Sequence, residues 1–157
     1  MSLNKEIYYC ALKLIKNNNL EEGLKFLKLS AQKNYPEAQK FLGDYYYINR
    51  EYKKAFINYK NSVENGGIEG TYNLADCYMK GIGTERDETK AVFFYKKASE
   101  KDINAKYCLS ICYLQGWGIK KSENKVNIKK EGIKLLKECA KEKHQKSIRK
   151  IVELKLK

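Results

Sequence analysis

The sequence predicts an all-α fold: an α-solenoid of about four helix–turn–helix repeats closed by a C-terminal capping helix. Three observations predict it. The 157-residue chain has a single proline among many Leu, Lys, Ile, Tyr and Ala residues, which favours helix over disorder or a turn-rich β fold. One short pattern, a Leu, a small residue and a Tyr three further on, recurs as Phe41-Leu42-Gly43-Asp44-Tyr45-Tyr46, Asn73-Leu74-Ala75-Asp76-Cys77-Tyr78 and Cys108-Leu109-Ser110-Ile111-Cys112-Tyr113. Two mostly small residues also stand seven apart at the end of every unit, the second being Ala38, Gly70, Ala105 and Ser147, which gives periods of 32, 35 and 42 residues.

Each unit follows from these anchors. The first, about 6–37, is placed by register, because a step of 32 back from Ala38 puts Ala11 on Gly43 and Gly23 on Ala55. In the second, about 38–69, Leu42 and Tyr46 share a face, Gly43 lets a neighbouring helix approach, and Ala55 and Tyr59 mark the partner helix. The third, about 70–104, repeats this with Leu74, Ala75 and Tyr78, then Ala91 and Tyr95. The fourth, about 105–146, has Leu109, Ser110 and Tyr113, followed by an insertion of roughly seven residues before Gly132-Ile133. A Lys-rich helix over about 147–157, with Ile148, Ile151, Val152 and Leu154, caps the stack. One such unit cannot bury its apolar face alone, and stacking makes the core continuous.

Composition excludes several classes. The longest apolar run, near Val92–Tyr95, is far short of the roughly 20 residues that span a bilayer. The N-terminal residues lack a basic patch followed by a long apolar stretch, so no signal peptide is expected. Five cysteines (Cys10, Cys77, Cys108, Cys112 and Cys139) then read as reduced thiols of a cytoplasmic protein, most of them small buried apolar residues.

At these residues the chain resembles two related repeat families. The second unit, with Leu42, Gly43, Tyr46, Tyr52, Ala55 and Tyr59, is similar to a tetratricopeptide repeat (TPR) with a shortened linker. The third resembles the Sel-one-like repeat through Leu74, Ala75, Tyr78, Gly81-Ile82-Gly83, Asp87, Lys90, Ala91, Phe94, Tyr95 and Ala98. The fourth keeps Gly116-Trp117-Gly118-Ile119 but has Gly132-Ile133 where that motif carries Lys and Ala. The resemblance covers about residues 6–146 and implies a non-catalytic adaptor that binds proteins or peptides on a concave surface. Secreted cysteine-rich members are linked to β-lactam chemistry. Here their disulfide positions hold Ser99 and Lys106, and Thr71 and Lys141, so that role does not transfer.

Catalytic and metal chemistry find little support. Gly81-Ile82-Gly83-Thr84-Glu85-Arg86 follows a helix and lacks the third glycine of a phosphate loop, so its glycines serve the chain reversal. His144 is the one histidine and reads as a solvated link residue, with no nucleophile motif directed at it. Cys108, Cys112, Cys139 and His144 could in principle ligate zinc, but Cys77 and Cys112 share a register beside buried Tyr and read as core thiols. No metal and no cofactor is expected. Glu21/Glu22 and Asp87/Glu88 suit helix N-termini without catalysis.

If the first helix of each unit lines the concave side, a stripe at spacings of four and three projects into it. That stripe is Tyr8, Leu12 and Ile15, then Lys40, Asp44 and Tyr47, then Tyr72, Asp76 and Met79, then Tyr107, Ile111 and Leu114. Tyrosines would anchor a peptide there and Asp44 and Asp76 would meet a basic group, unless several of the tyrosines pack between units. Charge is uneven: residues 1–78 carry net +2 and residues 79–157 net +11. Lys129, Lys130, Lys134, Lys137, Lys141, Lys146, Arg149 and Lys150 form a candidate basic face for nucleic acid, with no recognised nucleic-acid-binding motif beside it. A solvated face or an acidic protein partner are the other readings of it.

Overall fold

The computed structural model describes residues 2–120 and 123–156. Met1, Lys121, Ser122 and Lys157 lie outside the described residues, so Lys121 of the basic region and Lys157, the last residue of the expected cap, are not placed. The described residues form helices α1 (Leu3–Lys16), α2 (Leu20–Gln32), α3 (Pro36–Ile48), α4 (Tyr52–Glu64), α5 (Gly70–Lys80), α6 (Glu88–Ala98), α7 (Ile103–Gln115), α8 (Lys125–Lys141) and α9 (Gln145–Glu153), with no strand among them. α1, α3, α5 and α7 each pack most closely on the even helix after them, and each even helix then packs on the next odd one, ending with α9 on α8. This is an α-solenoid held by contacts between sequence neighbours.

The core is built where the register puts small residues. Ala11, Ala38, Ala55, Ala75, Ala91 and Ala105 are fully buried and let helices approach, while Leu27, Leu42, Leu74, Leu109 and Leu136 fill the space between. At Gly43 and Gly23 a Cβ would collide with the Tyr59 ring and the Ile15 side chain respectively, so these glycines are set by helix–helix approach. Three units are closed by the same polar contact. Ser30 Oγ donates to Asn4 O (2.8 Å), Ser62 Oγ to Pro36 O (2.8 Å), and in the fourth unit the Cys139 thiol approaches Ile103 O at 3.9 Å. Cys139 therefore stands in for a repeat serine.

The two Gly-x-Gly turns do more than reverse the chain. Gly81 and Gly116 end their helices in the left-handed region (φ 69° and 76°). Gly83 and Gly118, also at positive φ, lie against the carbonyls of Tyr52 and Glu88, at the starts of the preceding units' second helices. Gly118 N–H further donates to Glu88 Oε2 at 3.1 Å. Each turn thus locks one unit onto the last. Helix starts follow the expected chemistry: Asn19 and Asp87 accept from the Glu22 and Lys90 amides.

Burial orders the thiols. Cys10 is exposed, Cys108 half-buried, and Cys77, Cys112 and Cys139 are buried. Ellman's reagent is expected to titrate Cys10 rapidly in the native protein, Cys108 slowly, and all five thiols only in denaturant. A rapid native reading of three or more would contradict this packing.

Candidate functional site

The expected stripe lies on the odd helices, and its centre is polar. Asp44 on α3 and Asp76 on α5 occupy the same position in successive units. The buried Tyr59 hydroxyl, from α4, donates to Asp44 Oδ1 at 2.9 Å, and the Tyr95 hydroxyl, from α6, donates to Asp76 Oδ1. The free sides of both carboxylates take lysines one turn away: Lys40 Nζ lies 2.7 Å from Asp44 Oδ2, and Lys80 Nζ pairs with Asp76 Oδ2. Asn73 Nδ2 bridges the units by donating to Asp44 Oδ1 at 3.2 Å.

Burial, and then the hydrogen bond to its aspartate, holds the Tyr59 phenol above its ordinary range, and the same two causes act in that order on Tyr95. Burial, with the Asp76 charge behind it, pushes the Cys108 thiol up to about 11, and burial takes Cys77 and Cys112 up to about 12. These groups stay protonated in the fold at a pH where the unfolded chain has released its protons, so stability present below pH 9 is lost as pH rises toward 12. Thermal melts are expected to shift down between pH 9 and 11, with tyrosinate absorbance appearing at the unfolding transition. A flat Tm over that range would contradict the assignment.

A cavity of about 360 Å³ opens between the two units, lined by Asp44, Tyr47, Ile48, Tyr59, Asn73, Asp76, Cys77 and Ile82. A broader cleft of about 690 Å³ runs on through Lys40, Ile68, Glu69, Tyr72, Asn73, Lys101, Asp102 and Ile103. Of the expected stripe, Lys40, Asp44, Tyr47, Tyr72 and Asp76 therefore line these spaces, and Tyr47 is 42% exposed. Tyr8, Leu12 and Ile15 on α1, Met79 on α5, and Tyr107, Ile111 and Leu114 on α7 are half-buried and border neither.

All four tyrosines of the stripe make ring contacts: Tyr47, the most exposed, meets Tyr52 (ring centroids 5.7 Å apart), and the other three are half-buried. Tyr8 meets Tyr35 (ring centroids 5.2 Å apart), Tyr72 meets Tyr95 (6.0 Å) and Tyr107 meets His144 (5.2 Å). Asp44 and Asp76, expected to await a basic group, already hold a phenol and a lysine each. Asn73 was missed by the sequence reasoning. Its signal is a polar residue where the other units carry Tyr9, Phe41 and Cys108.

His144 requires a correction. It is not a solvated link residue but a half-buried one: Nδ1 lies 2.7 Å from Ser147 Oγ, Nε2 lies 3.3 Å from Asn104 Oδ1, and the ring packs on Tyr107. It occupies the place of Tyr35, where the chain enters an odd helix beside the previous one, and there an imidazole replaces a phenol. Cys139 turns to Ile103 O while Cys108 sits beside Tyr72, and among the described residues no three His, Cys, Asp or Glu side chains form a group able to hold a metal ion. Trp117 is 38% exposed in its turn.

The basic residues divide between two helices, with Lys129, Lys130, Lys134, Lys137 and Lys141 on α8 and Lys146, Arg149 and Lys150 on α9. Lys134 pairs with Glu131 (3.5 Å) and Lys150 with Glu153 (2.7 Å). No helix among the described residues is long and apolar enough to cross a membrane.

Comparison with known proteins agrees with this architecture. The Sel1 repeat matches residues 7–35, 36–66, 68–103 and 104–141. Over 87 residues the chain is 34% identical to the chitin synthase regulator SKT5 of Saccharomyces cerevisiae, covering 53% of this chain and 12% of that protein. It is 32% identical over 77 residues to chitin synthase regulatory factor 3 of Schizosaccharomyces pombe, covering 46% of this chain and 8% of the relative. The chain thus matches only a small part of either fungal protein. The crystal structure of a Sel1 repeat protein from Oxalobacter formigenes superposes with a TM-score of 0.76 at 20% identity, over 99% of this chain and 64% of that one. A protective antigen of uropathogenic Escherichia coli strains gives 0.75 at 21% identity, over 89% of this chain and 31% of that one. Those two likenesses establish the solenoid architecture, and with the repeat matched in four successive units from residue 7 to residue 141, the chain belongs to the Sel1 repeat family.

Proposed function

We propose that this chain is a non-catalytic adaptor whose concave surface binds a protein or peptide. The observation that carries this reading is the open cavity between the second and third units, where two carboxylates stand beside the exposed ring of Tyr47 and the side chains of Ile48 and Ile82. A basic side chain of a bound peptide would exchange with Lys40 or Lys80 on Asp44 or Asp76, while its neighbours pack on the aromatic and aliphatic wall. Two fungal relatives named as chitin synthase regulators share these repeats as a small part of their length, which supports a role in interaction over one in catalysis.

The test is photo-crosslinking and pull-down at low and high salt, with and without nuclease, comparing wild type with Tyr47→Ala/Ile48→Ala, which removes two side chains that line the cavity. Tyr47 and Ile48 are 42% and 79% exposed, so the variant is expected to fold and to lose a salt-resistant protein partner. Tyr72→Ala or Tyr107→Ala is less informative, because each ring is half-buried against another and its loss also disturbs packing. Material that disappears with nuclease, or binds with a steep salt dependence between 50 and 200 mM yet survives the groove changes, would move the function to nucleic acid on the basic helices α8 and α9.

A further inference from the structure

Helix α9 occupies, residue for residue, the place of an odd helix. Ser147 falls on Ala38, Gly70 and Ala105, Ile151 on Leu42, and Val152 on Gly43. In the second unit the Gly43 position is covered by the Tyr59 ring of the even helix that follows. On α9 the equivalent Val152 is 72% exposed, with Ile148 one turn before it 38% exposed.

Two cavities show what is missing. One of about 410 Å³ lies among Lys28, Ala31 and Gln32 of α2 and Leu42 of α3, and its far wall is Asn58 and Asn61 of α4. The other, about 370 Å³, is lined by Lys137, Ala140, Lys141 and Ile151. Those four are the register equivalents of Lys28, Ala31, Gln32 and Leu42. The same groove is built twice. At the C-terminal end no described helix stands where α4 stands.

The rim of this open groove is cationic. Lys141 lines it, Lys146 and Arg149 on α9 and Lys155 just after α9 are exposed, and Glu142 and Glu153 are already paired with Lys106 and Lys150. Another copy of this face would bring like charges together. We infer that the open face of α9 docks an acidic amphipathic helix of a partner protein, lying on α9 and α8 as α4 lies on α3 and α2. Val152 fills space that Gly43 leaves for a phenol ring, so the incoming helix presents Ala or another small aliphatic residue there, with carboxylates toward Lys141. This surface is separate from the cavity of the second and third units, and either assignment stands without the other.

The probe is a fluorescein-labelled helical peptide of about 16 residues with Ala and Leu on one face and Glu on the other. It is titrated beside a scrambled peptide of the same composition and one with Lys in place of Glu. The ordered acidic peptide is expected to bind at least about tenfold tighter than either control. Ile148→Glu/Val152→Glu is expected to weaken it by at least about tenfold with an unchanged circular dichroism spectrum, because neither side chain belongs to the buried core (38% and 72% exposed). Tyr47→Ala/Ile48→Ala is expected to leave it unaltered. Equal binding of ordered and scrambled acidic peptides would overturn the inference. So would indifference to the double substitution, or self-association of the free protein that the same substitution abolishes.

Discussion

Gly83→Ala is expected to be the most damaging conservative change in the third unit, at on the order of 4 kcal/mol. A Cβ at this position would press into the Tyr52 carbonyl and crowd the Lys53 amide, which are main-chain atoms of α4 that no rotamer change can move aside. The φ of 71° adds a conformational penalty for any L side chain. Gly118→Ala meets the same obstacle at the Glu88 carbonyl and is expected to rank with it. Gly116 supplies the internal control. Its φ is 76°, but nothing lies within 4 Å of its Cβ position, so Gly116→Ala is expected to cost only about 1 kcal/mol. Urea unfolding of the three variants checks the order. Equal losses at Gly83 and Gly116 would mean that the turn, and not the lock onto the preceding unit, sets the requirement for glycine.

The paired substitution Asp76→Ile/Tyr95→Leu is expected to be much less harmful than its two halves suggest. The middle units hold Asp44 with Tyr59 and Asp76 with Tyr95, while the outer units carry Leu12 with Leu27 and Ile111 with Leu136 at the same two positions. Each combination is satisfied within itself. Tyr95→Leu alone leaves Asp76 without its phenol donor and empties ring volume from a 2% exposed site, for a cost of about 3 kcal/mol. Asp76→Ile alone strands a buried hydroxyl, at about 1–3 kcal/mol. In the double variant no stranded polar group remains, and a coupling of about 1–3 kcal/mol is expected from a double-mutant cycle. Additive losses would show that the two side chains act independently and that their hydrogen bond is incidental.

These two cases show what was legible. Gly83 was visible as a turn glycine, since Gly-x-Gly after a helix calls for positive φ. Its contact with Tyr52 was not, because nothing local to the turn names a carbonyl some thirty residues earlier. The stripe through Asp44 and Asp76 was visible from spacings of four and three. Its division into packed rings such as Tyr8 and Tyr107 and open ones such as Tyr47 depends on a few degrees of helix rotation and on the neighbour that arrives. Cys139 shows the same limit. Its thiol replaces the serine of earlier units, an equivalence that emerges only once Ser30, Ser62 and Cys139 are seen reaching the carbonyls of Asn4, Pro36 and Ile103.

The sequence by itself determined the helical class, the number of complete units and their order in the stack. In a solenoid every main contact joins neighbours at a nearly constant separation, so the small residues at Ala38, Gly70, Ala105 and Ser147 encode packing as a readable period. Tertiary structure alone decided the fate of the polar groups: Asp76 under the Tyr95 hydroxyl, His144 between Ser147 and Asn104, and Val152 left uncovered on α9. Apolar burial depends on which side of a helix faces inward, and periodicity sets that. A hydrogen bond depends on ångström-scale placement of two groups from different helices, which only the assembled stack provides.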